Sequence, residues 1–329
     1  MPNNQVELSI VIPIYNEAAG LTSFHASLTA VLKKSDVISY EIIYVDDGST
    51  DQTIDVIKHL NTANKHIKYL PLSRNFGKES AITAGIKFAK GDAIMLLDGD
   101  GQHPVELIPK FIDLWLKGNK VVVGIRRSNT KEGLTKKAGS YLFYKTFNML
   151  TKQKLIPGST DFRLIDKTVR TAFLELKEVD RINRGLIDWL GFKTDYIEFD
   201  ANPRIYGGAG YNFRKLIKLA IDSYVGFSNA PLYFFGYLGA VISVLSFLLG
   251  VIVFIEQVIL GDPLAWKFTG TAMLAILIIF LVGLMLTSQG IMSLYVSLTY
   301  AQSKGRPLYV IDYDNSIGII KESGESSKT

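Results

Sequence analysis

Short apolar segments alternate with helix-like segments over the first 125 residues of the chain. The apolar segments are rich in β-branched residues and nearly continuous in apolar character, as strands buried on both faces of a parallel sheet are. The predicted strands are Leu8 to Ile14, Tyr40 to Asp47, Ile67 to Leu72, Ala93 to Asp98 and Lys120 to Ile125. This alternation predicts an α/β domain with a mostly parallel sheet.

The clearest predicted helix covers residues 51–64. It is preceded by GSTDQ, in which Ser49 and Gln52 have the spacing of a capping box. We therefore expect the Ser49 side chain to cap the start of this helix.

Two long uncharged segments follow in the last third of the chain, at residues 231–255 and 268–300. Each is long enough to cross a bilayer as a helix. Basic residues lie before the first segment and after the second, so the positive-inside rule places both outer ends in the cytoplasm. Two buried helices of a large soluble core are the alternative.

The segment between the α/β region and the first apolar run, residues 211–227, has apolar residues at helical spacing opposite Arg214, Lys215 and Lys218. This pattern predicts a helix that lies in the membrane interface. The N-terminus has neither the basic start nor the apolar core of a signal peptide, so the first domain is expected to stay in the cytoplasm.

Composition narrows the classes of chemistry. The chain has no cysteine and four histidines, which excludes thiolate metal sites and makes a histidine-built zinc site improbable. The net charge is +5, and the basic residues cluster between Arg126 and Lys218, which suggests phosphates or lipid headgroups as partners. A nucleic-acid-binding protein would have a denser basic stripe.

Three loops that follow predicted strands carry acidic residues: PIYNE, VDDGSTD and DGDGQHP. Ligands of open α/β sheets bind at this carboxyl edge, and several acids gathered there require a cation. Asp98 and Asp100 supply oxygen ligands suited to Mg²⁺ or Mn²⁺, while Arg74 and Lys78 of SRNFGKES suit phosphates. Ordinary turn chemistry and solvated surface charges are the alternatives.

The motifs SIVIPIYNE, YEIIYVDDGSTD, SRNFGKESAITAGI and DGDGQHP, in this order, resemble the donor-binding half of inverting family-two glycosyltransferases with the GT-A fold. The DGD triplet corresponds to the DXD motif of that family. The resemblance implies that a nucleotide-diphosphate sugar lies across the strand ends. It places Pro13, Tyr15, Glu17 and Asp47 around base and ribose, Asp98 beside the nucleotide, and Asp100 with Gln102 on the metal. His103 is expected to be a packing or capping residue.

The later motifs GIRRSN, GLTKKAGSYLFYK, PGSTDFRLIDK, DRINRGLIDWLGF and NPRIYGGAGYNFRK resemble the polyprenyl-phosphate glycosyltransferases. That group includes bacterial undecaprenyl-phosphate glucosyltransferases and dolichyl-phosphate mannose synthases. Processive polysaccharide synthases match less well, because RINRGLIDWL lacks their Gln-x-x-Arg-Trp motif. A loop over the site at GGAGYN is a further expectation.

The resemblance implies inverting transfer of a sugar to undecaprenyl phosphate at the cytoplasmic face, for use in modifying cell-surface glycans. UDP-glucose is the preferred donor, with UDP-N-acetylglucosamine, UDP-galactose and GDP-mannose as alternatives. A membrane-anchored protein that binds a nucleotide sugar without turning it over is the non-enzyme alternative. A transporter would need more spans with polar groups inside them.

A lipid phosphate is already an anion, so a site that binds it requires cations and hydroxyl donors. The candidates for this acceptor site are Arg126, Lys136, Lys137, Ser140 and Arg204. Asp161 is the residue expected at the reaction centre, where it orients the donor sugar or stabilises positive charge at the anomeric carbon. A helix N-cap or an ion pair with Arg163 is its structural alternative.

The predicted organisation has four parts. A cytoplasmic glycosyltransferase domain covers residues 1–210, an interfacial helix residues 211–229, two transmembrane helices residues 230–300, and a cytoplasmic tail residues 301–329. The protein is expected in the bacterial inner membrane. The strand-like segment RPLYVIDY of the tail is expected to pair with a neighbouring subunit, and a tetramer is one such assembly.

Overall fold

The computed structural model describes residues 7–35, 39–127, 156–179, 181–202 and 270–319, with isolated residues between 237 and 255. The strands are β1 (Glu7–Ile14), β2 (Ser39–Asp46), β3 (Ile67–Pro71), β4 (Ala93–Leu96), β5 (Val121–Arg126), β6 (Ser159–Asp166) and β7 (Thr194–Phe199). The helices are α1 (Ala18–Leu32), α2 (Thr53–Ala63), α3 (Lys78–Phe88), α4 (Ile108–Leu116), α5 (Lys167–Glu175), α6 (Asn183–Trp189) and α7 (Gly270–Ser303).

The seven strands form one sheet in the order β3-β2-β1-β4-β6-β5-β7. Every neighbouring pair is parallel except the two that contain β6, which runs antiparallel to both β4 and β5. Six strands therefore end at the same edge of the sheet, and the first residues of β6 lie at that edge as well. We call it the carboxyl edge.

The sheet supplies most of the core. The central strands β1, β2 and β4 are buried along most of their length, and α1 packs on the sheet through Leu21, Phe24 and Leu28. Continuous burial explains why these strands read as continuous apolar runs. The prediction of an α/β domain with a mostly parallel sheet is confirmed.

All five predicted strands are present with small differences at their ends, but β6 and β7 were not predicted. Strand β6 carries Asp161, Arg163 and Asp166 within eight residues, so it lacks the apolar pattern of a buried strand. Strand β7 lies at the edge of the sheet, and its sequence TDYIEF is half charged or polar. Tertiary contacts rather than local pattern determine both strands.

The predicted capping box at α2 is wrong. The helix begins after Gln52 with no side-chain cap, and the Ser49 hydroxyl accepts a hydrogen bond from the Asn16 N–H instead. Asp51 takes the place expected for Ser49, because its carboxylate accepts from the Thr53 N–H at 3.0 Å.

The tail after α7 returns to the sheet domain. Its residues pair antiparallel with the outer side of β3, at Tyr69 with Ile317 and at Leu72 with Ile311. The segment therefore covers the edge strand of its own chain, in place of the neighbouring subunit that the sequence suggested. The number of subunits stays a prediction.

Residues 7–202 and 306–319, as far as they are described, belong to one compact unit, and α7 belongs to a second. Within α7, Phe280–Ser303 is long and apolar enough to cross a membrane, with a mean hydropathy of 1.5. It is the one such helix in the described part of the chain. The other predicted span, at 231–255, and the interfacial helix at 211–227 lie almost wholly outside the described residues.

Candidate active site at the carboxyl edge

The loops after β1 and β2 are tied together by side chains. The Asn16 N–H donates to Ser49 Oγ at 2.9 Å, and the Thr50 N–H donates to Asn16 Oδ1 at 2.8 Å. Asn16 has a φ of 54°, a left-handed conformation that asparagine tolerates better than most residues. The link holds the neighbouring Tyr15, which is 46 % exposed, at the carboxyl edge.

Asp47 lies at the end of β2 and holds the loop that leads into α3. Its carboxylate accepts hydrogen bonds from the backbone N–H groups of Phe76, at 2.7 Å, and Gly77, at 2.9 Å. Burial raises the pKa of Asp47, and these two N–H donors oppose the rise. Gly48 has a φ of 75°, and a Cβ there would lie 2.6 Å from the Arg74 carbonyl carbon. The β2 and β3 loops are therefore packed backbone to backbone.

The loop after β4 contains the DGDGQHP motif. Asp100 Oδ1 accepts from the Gln102 N–H at 3.0 Å, which closes a tight turn. The Asp98 N–H donates to Nδ1 of His103, whose ring stacks on Phe162 with centroids 4.9 Å apart. Burial lowers the pKa of His103, which keeps the ring neutral as this acceptor role requires. His103 is a packing residue, as predicted, and it also orients the motif.

A lysine and two aspartates meet at the centre of this edge. Lys78 Nζ, from the first turn of α3, lies 2.6 Å from Asp98 Oδ1 and 2.7 Å from Asp161 Oδ2. Asp98 follows β4, whereas Asp161 is the third residue of β6. Because β6 runs opposite to β4, its beginning lies beside the end of β4. The reversed strand thus brings Asp161 to the DGD motif.

Lys78 and Asp161 of this cluster stay charged at neutral pH. Burial alone would raise the pKa of Asp161, but Lys78 outweighs it and lowers that pKa to about 2. Burial alone would lower the pKa of Lys78, and the two aspartates hold it well above its usual range. The structural alternatives considered for Asp161 are both wrong, since it lies in a strand and pairs with Lys78.

Arg163 is 1 % exposed and fixes the backbone just before Asp161. Its guanidinium donates to the Thr160 carbonyl at 3.1 Å, and Nη1 donates to Asp188 Oδ1 at 3.2 Å. It therefore joins the beginning of β6 to α6, and sets the position from which the Asp161 side chain extends.

We expect Arg163→Met to lower the free energy of unfolding by about 3 kcal/mol, because the buried guanidinium donates to both the Asp188 carboxylate and the Thr160 carbonyl, and methionine replaces neither bond. Arg127→Met is the control. Arg127 pairs with Glu198 and Asp200 on the surface, so its loss should change stability by less than about 0.5 kcal/mol. Thermal unfolding of the detergent-solubilised chain, followed by near-UV circular dichroism, measures both. Equal effects would contradict the assigned role of Arg163.

The contact between α3 and α6 has no counterpart in any sequence motif. The Asn183 N–H donates to Glu79 Oε2 at 2.8 Å, and Asn183 Nδ2 donates to the Glu79 carbonyl at 2.7 Å. Burial, followed by the charge of Asp161, raises the pKa of Glu79 to about 7. The two hydrogen bonds between Asn183 and Glu79 fix the first turn of α3 and hence the position of Lys78. The two residues lie 104 positions apart, so only the folded chain reveals their contact.

The predicted binding residues are distributed unevenly over this edge. Pro13 is the next-to-last residue of β1. The loops after β1, β2 and β4 contain the other predicted donor and metal residues, namely Tyr15, Glu17, Asp47, Asp98, Asp100 and Gln102. The exposed Arg74 guanidinium lies 4.0 Å from the centre of the Phe76 ring. Arg126 is the exposed last residue of β5, and its N–H donates to the Gly158 carbonyl. Lys136, Lys137, Ser140 and Arg204 lie outside the described residues.

The DGD loop offers a limited set of metal ligands. Within the described ranges, no group of three or more His, Cys, Asp or Glu side chains is arranged to hold a metal ion. Asp98 and Asp100 offer carboxylate oxygens and Gln102 offers its amide oxygen, and oxygen is the ligand that Mg²⁺ and Mn²⁺ prefer. Such a set fits an ion that completes its coordination with substrate phosphates and water.

Comparison with known proteins agrees with this geometry. Residues 9–171 match the family described as "Glycosyl transferase family 2". An uncharacterized glycosyltransferase of Synechocystis sp. is 39% identical over 306 residues, 93% of this chain and 95% of that protein. A prophage bactoprenol glucosyl transferase homolog of Escherichia coli is 32% identical over 308 residues, 93% of this chain and 98% of that protein.

Among solved structures, mannosyl-3-phosphoglycerate synthase from Rubrobacter xylanophilus aligns with a TM-score of 0.47 and 17% identity, over 66% of this chain and 71% of that one. A likeness of this size adds nothing on activity, so the assignment depends on the sequence relatives and the family match. With near full-length relatives above 30% identity, the chain belongs to glycosyl transferase family 2 and is a glycosyltransferase with a GT-A-like α/β domain.

Proposed function

We propose that this glycosyltransferase transfers glucose from UDP-glucose to a polyprenyl phosphate such as undecaprenyl phosphate, with inversion at the anomeric carbon. The observation that carries the proposal is the cluster of Lys78, Asp98 and Asp161 at the carboxyl edge, beside the loops suited to a nucleotide. Relatives matched along nearly their whole length are named bactoprenol glucosyl transferases, which supports both the lipid acceptor and glucose.

The donor lies across the loops after β1, β2 and β4 in this proposal. Pro13, Tyr15, Glu17 and Asp47 surround the base and ribose, and Arg74 and Lys78 face the diphosphate. Asp100 and Gln102 would hold Mg²⁺ or Mn²⁺, which would neutralise charge on the departing diphosphate. Lys78 lies at the same place, where its ammonium offsets part of the negative charge of Asp98 and Asp161.

The acceptor phosphate is the nucleophile. One of its oxygens forms the bond to the anomeric carbon as the bond from that carbon to the diphosphate oxygen breaks, and UDP leaves. Because the phosphate is an anion already, no general base is required, and the protein's task is to aim and desolvate it. We assign this grip to Arg126, Lys136, Lys137, Ser140 and Arg204, with an α-linked donor giving a β-linked product.

Asp161 orients the sugar and stabilises the positive charge that develops at the anomeric carbon. The low pKa of Asp161 supports this role, because the carboxylate is ionised at neutral pH. A second carboxylate acting on a water molecule would favour hydrolysis. The neighbouring carboxyl group of Asp98 is instead held by Lys78.

The path of the chain supports a hairpin of two membrane spans. Residues up to 202 and the tail from Arg306 belong to one folded unit, because the tail pairs with β3. A folded domain lies on one side of a membrane, so the chain between these points crosses an even number of times. If α7 is one crossing, the uncharged run at 231–255 is the natural second. The positive-inside rule places the domain and the tail in the cytoplasm.

Transfer to the extractable lipid tests the proposal. The purified full-length protein is incubated with undecaprenyl phosphate and each of four radiolabelled donors, namely UDP-glucose, UDP-N-acetylglucosamine, UDP-galactose and GDP-mannose. We expect the label from UDP-glucose to enter the organic phase. Label from another donor would show that the transferred sugar is not glucose, and the proposed reaction would otherwise stand. Donor binding without transfer from any of the four would leave a nucleotide-sugar-binding protein.

A further inference from the structure

The C-terminal tail is hydrogen-bonded to β3 along its outer side. Tyr69 and Ile317 exchange two backbone hydrogen bonds, of 2.9 and 3.0 Å. Two residues farther along, the Asp312 N–H donates to the Pro71 carbonyl at 2.9 Å. Proline has no N–H to donate, which suits an edge strand. The tail thus follows β3 to its carboxyl end.

One more hydrogen bond of the tail is made at the beginning of the donor loop, which we define as residues 73–78. The Ser73 N–H donates to the Val310 carbonyl at 2.8 Å. The preceding Leu72 N–H points the other way, to the Asp46 carbonyl of β2, at 2.8 Å. Alternate residues of β3 therefore bond to β2 and to the tail, so the tail replaces a missing neighbouring strand.

The donor loop is held at three successive points. The tail binds Ser73, the backbone at Arg74 packs against Gly48, and Asp47 accepts from Phe76 and Gly77. Lys78 follows directly, with its ammonium between two carboxylates. The first point is the only one of these three that comes from a segment beyond α7.

We propose that the tail segment Val310–Ile317 is a positioning element of the donor site, which sets the donor loop through Ser73 and thereby places Arg74 and Lys78. The proposal rests on the proposed donor site. It gives the tail a role in donor affinity in addition to covering the edge of the sheet. Residues of the tail touch neither substrate nor metal in this account.

Asp312 allows a matched test, because one substitution removes its N–H and another keeps it. Asp312→Pro loses the bond to the Pro71 carbonyl and the carboxylate. Asp312→Ala loses only the carboxylate, which accepts from Asn315 Nδ2 at 2.7 Å. We expect Asp312→Pro to raise the Kd of the donor about tenfold, the effect of losing about one backbone hydrogen bond, with kcat nearly unchanged. Asp312→Ala should change either value less than about twofold.

Amide hydrogen exchange without any donor separates this proposal from the proposed function. In Asp312→Pro, the amides of Ser73, Phe76 and Gly77 should exchange faster than in Asp312→Ala, while amides of β1 keep their protection. If the wild-type chain binds none of the nucleotide sugars, the proposed function is wrong. The exchange measurement still tests whether the tail sets the donor loop, because it needs no donor. Faster exchange confined to the tail, or an unchanged donor Kd in a protein that binds one, would overturn the positioning role.

The wild-type chain provides a second measurement in case Asp312→Pro fails to fold. If the tail sets the donor loop, the Ser73 amide and the Phe76 and Gly77 amides should open together, with similar dependence on denaturant. Free exchange at Ser73 while Phe76 and Gly77 stay protected would overturn the proposal without any variant.

Discussion

Asp161→Asn should lower transfer of sugar to the lipid phosphate by about 10²–10³-fold. The amide keeps the size of the side chain but removes the negative charge that faces Lys78 and, in our account, the anomeric carbon. Since Asp161 acts when positive charge develops, the loss should appear mainly in kcat. Donor affinity should change by less than about tenfold, because Lys78 is still held by Asp98.

Asp92→Asn is the control for this substitution. Asp92 also pairs with a lysine, Lys167, at 2.6 Å, but it lies just before β4, away from the carboxyl edge. Its loss should leave kcat within about twofold of wild type. Initial rates with saturating donor and acceptor measure both variants. Asp161→Asn with more than half of the wild-type kcat would remove Asp161 from the reaction centre.

Asp100→Ala should reduce transfer by about 10²-fold or more, and chelation of divalent ions should reduce wild-type transfer as strongly. The reason is that the proposal assigns the ion to Asp100 and Gln102. Losing the Asp100 carboxylate removes the charged ligand of that pair. Raising the concentration of Mn²⁺ should restore the chelated wild-type enzyme fully and the variant only in part.

Glu106→Ala is the matched control, since Glu106 is an exposed carboxylate in the turn that follows the same loop. It should keep wild-type activity and the wild-type response to Mn²⁺. Activity of the wild type that survives complete chelation would show that Lys78 and the other cations suffice, and would remove the metal from the account.

The strands β1 to β5 could be predicted from the sequence because they are buried on both faces of the sheet, and such strands are apolar along their whole length. The same reasoning placed the acidic loops at one edge. It failed for β6, because this strand carries charges where apolar residues are expected: Asp161 at the carboxyl edge, and Arg163, which is buried and paired with Asp188. Local pattern cannot anticipate a partner 25 residues away.

The central cluster shows the same limit. Lys78 and Asp161 were each singled out from motifs, one for phosphate and one for the reaction centre. Their contact spans 83 positions and depends on the reversed direction of β6, which no motif encodes. The tail differs again, because its strand-like sequence was recognised. Its partner was misjudged, since any strand with an open edge satisfies the same backbone groups.

The most direct test of the central claim is the linkage of the product. The purified protein is supplied with UDP-glucose and either undecaprenyl phosphate or undecaprenol, and the lipid product is analysed by phosphorus-coupled proton NMR. Our account predicts a β-linked glucose joined to the lipid phosphate, and no product from undecaprenol. An α-linked product, glucose on the alcohol, or free glucose as the only product would contradict it.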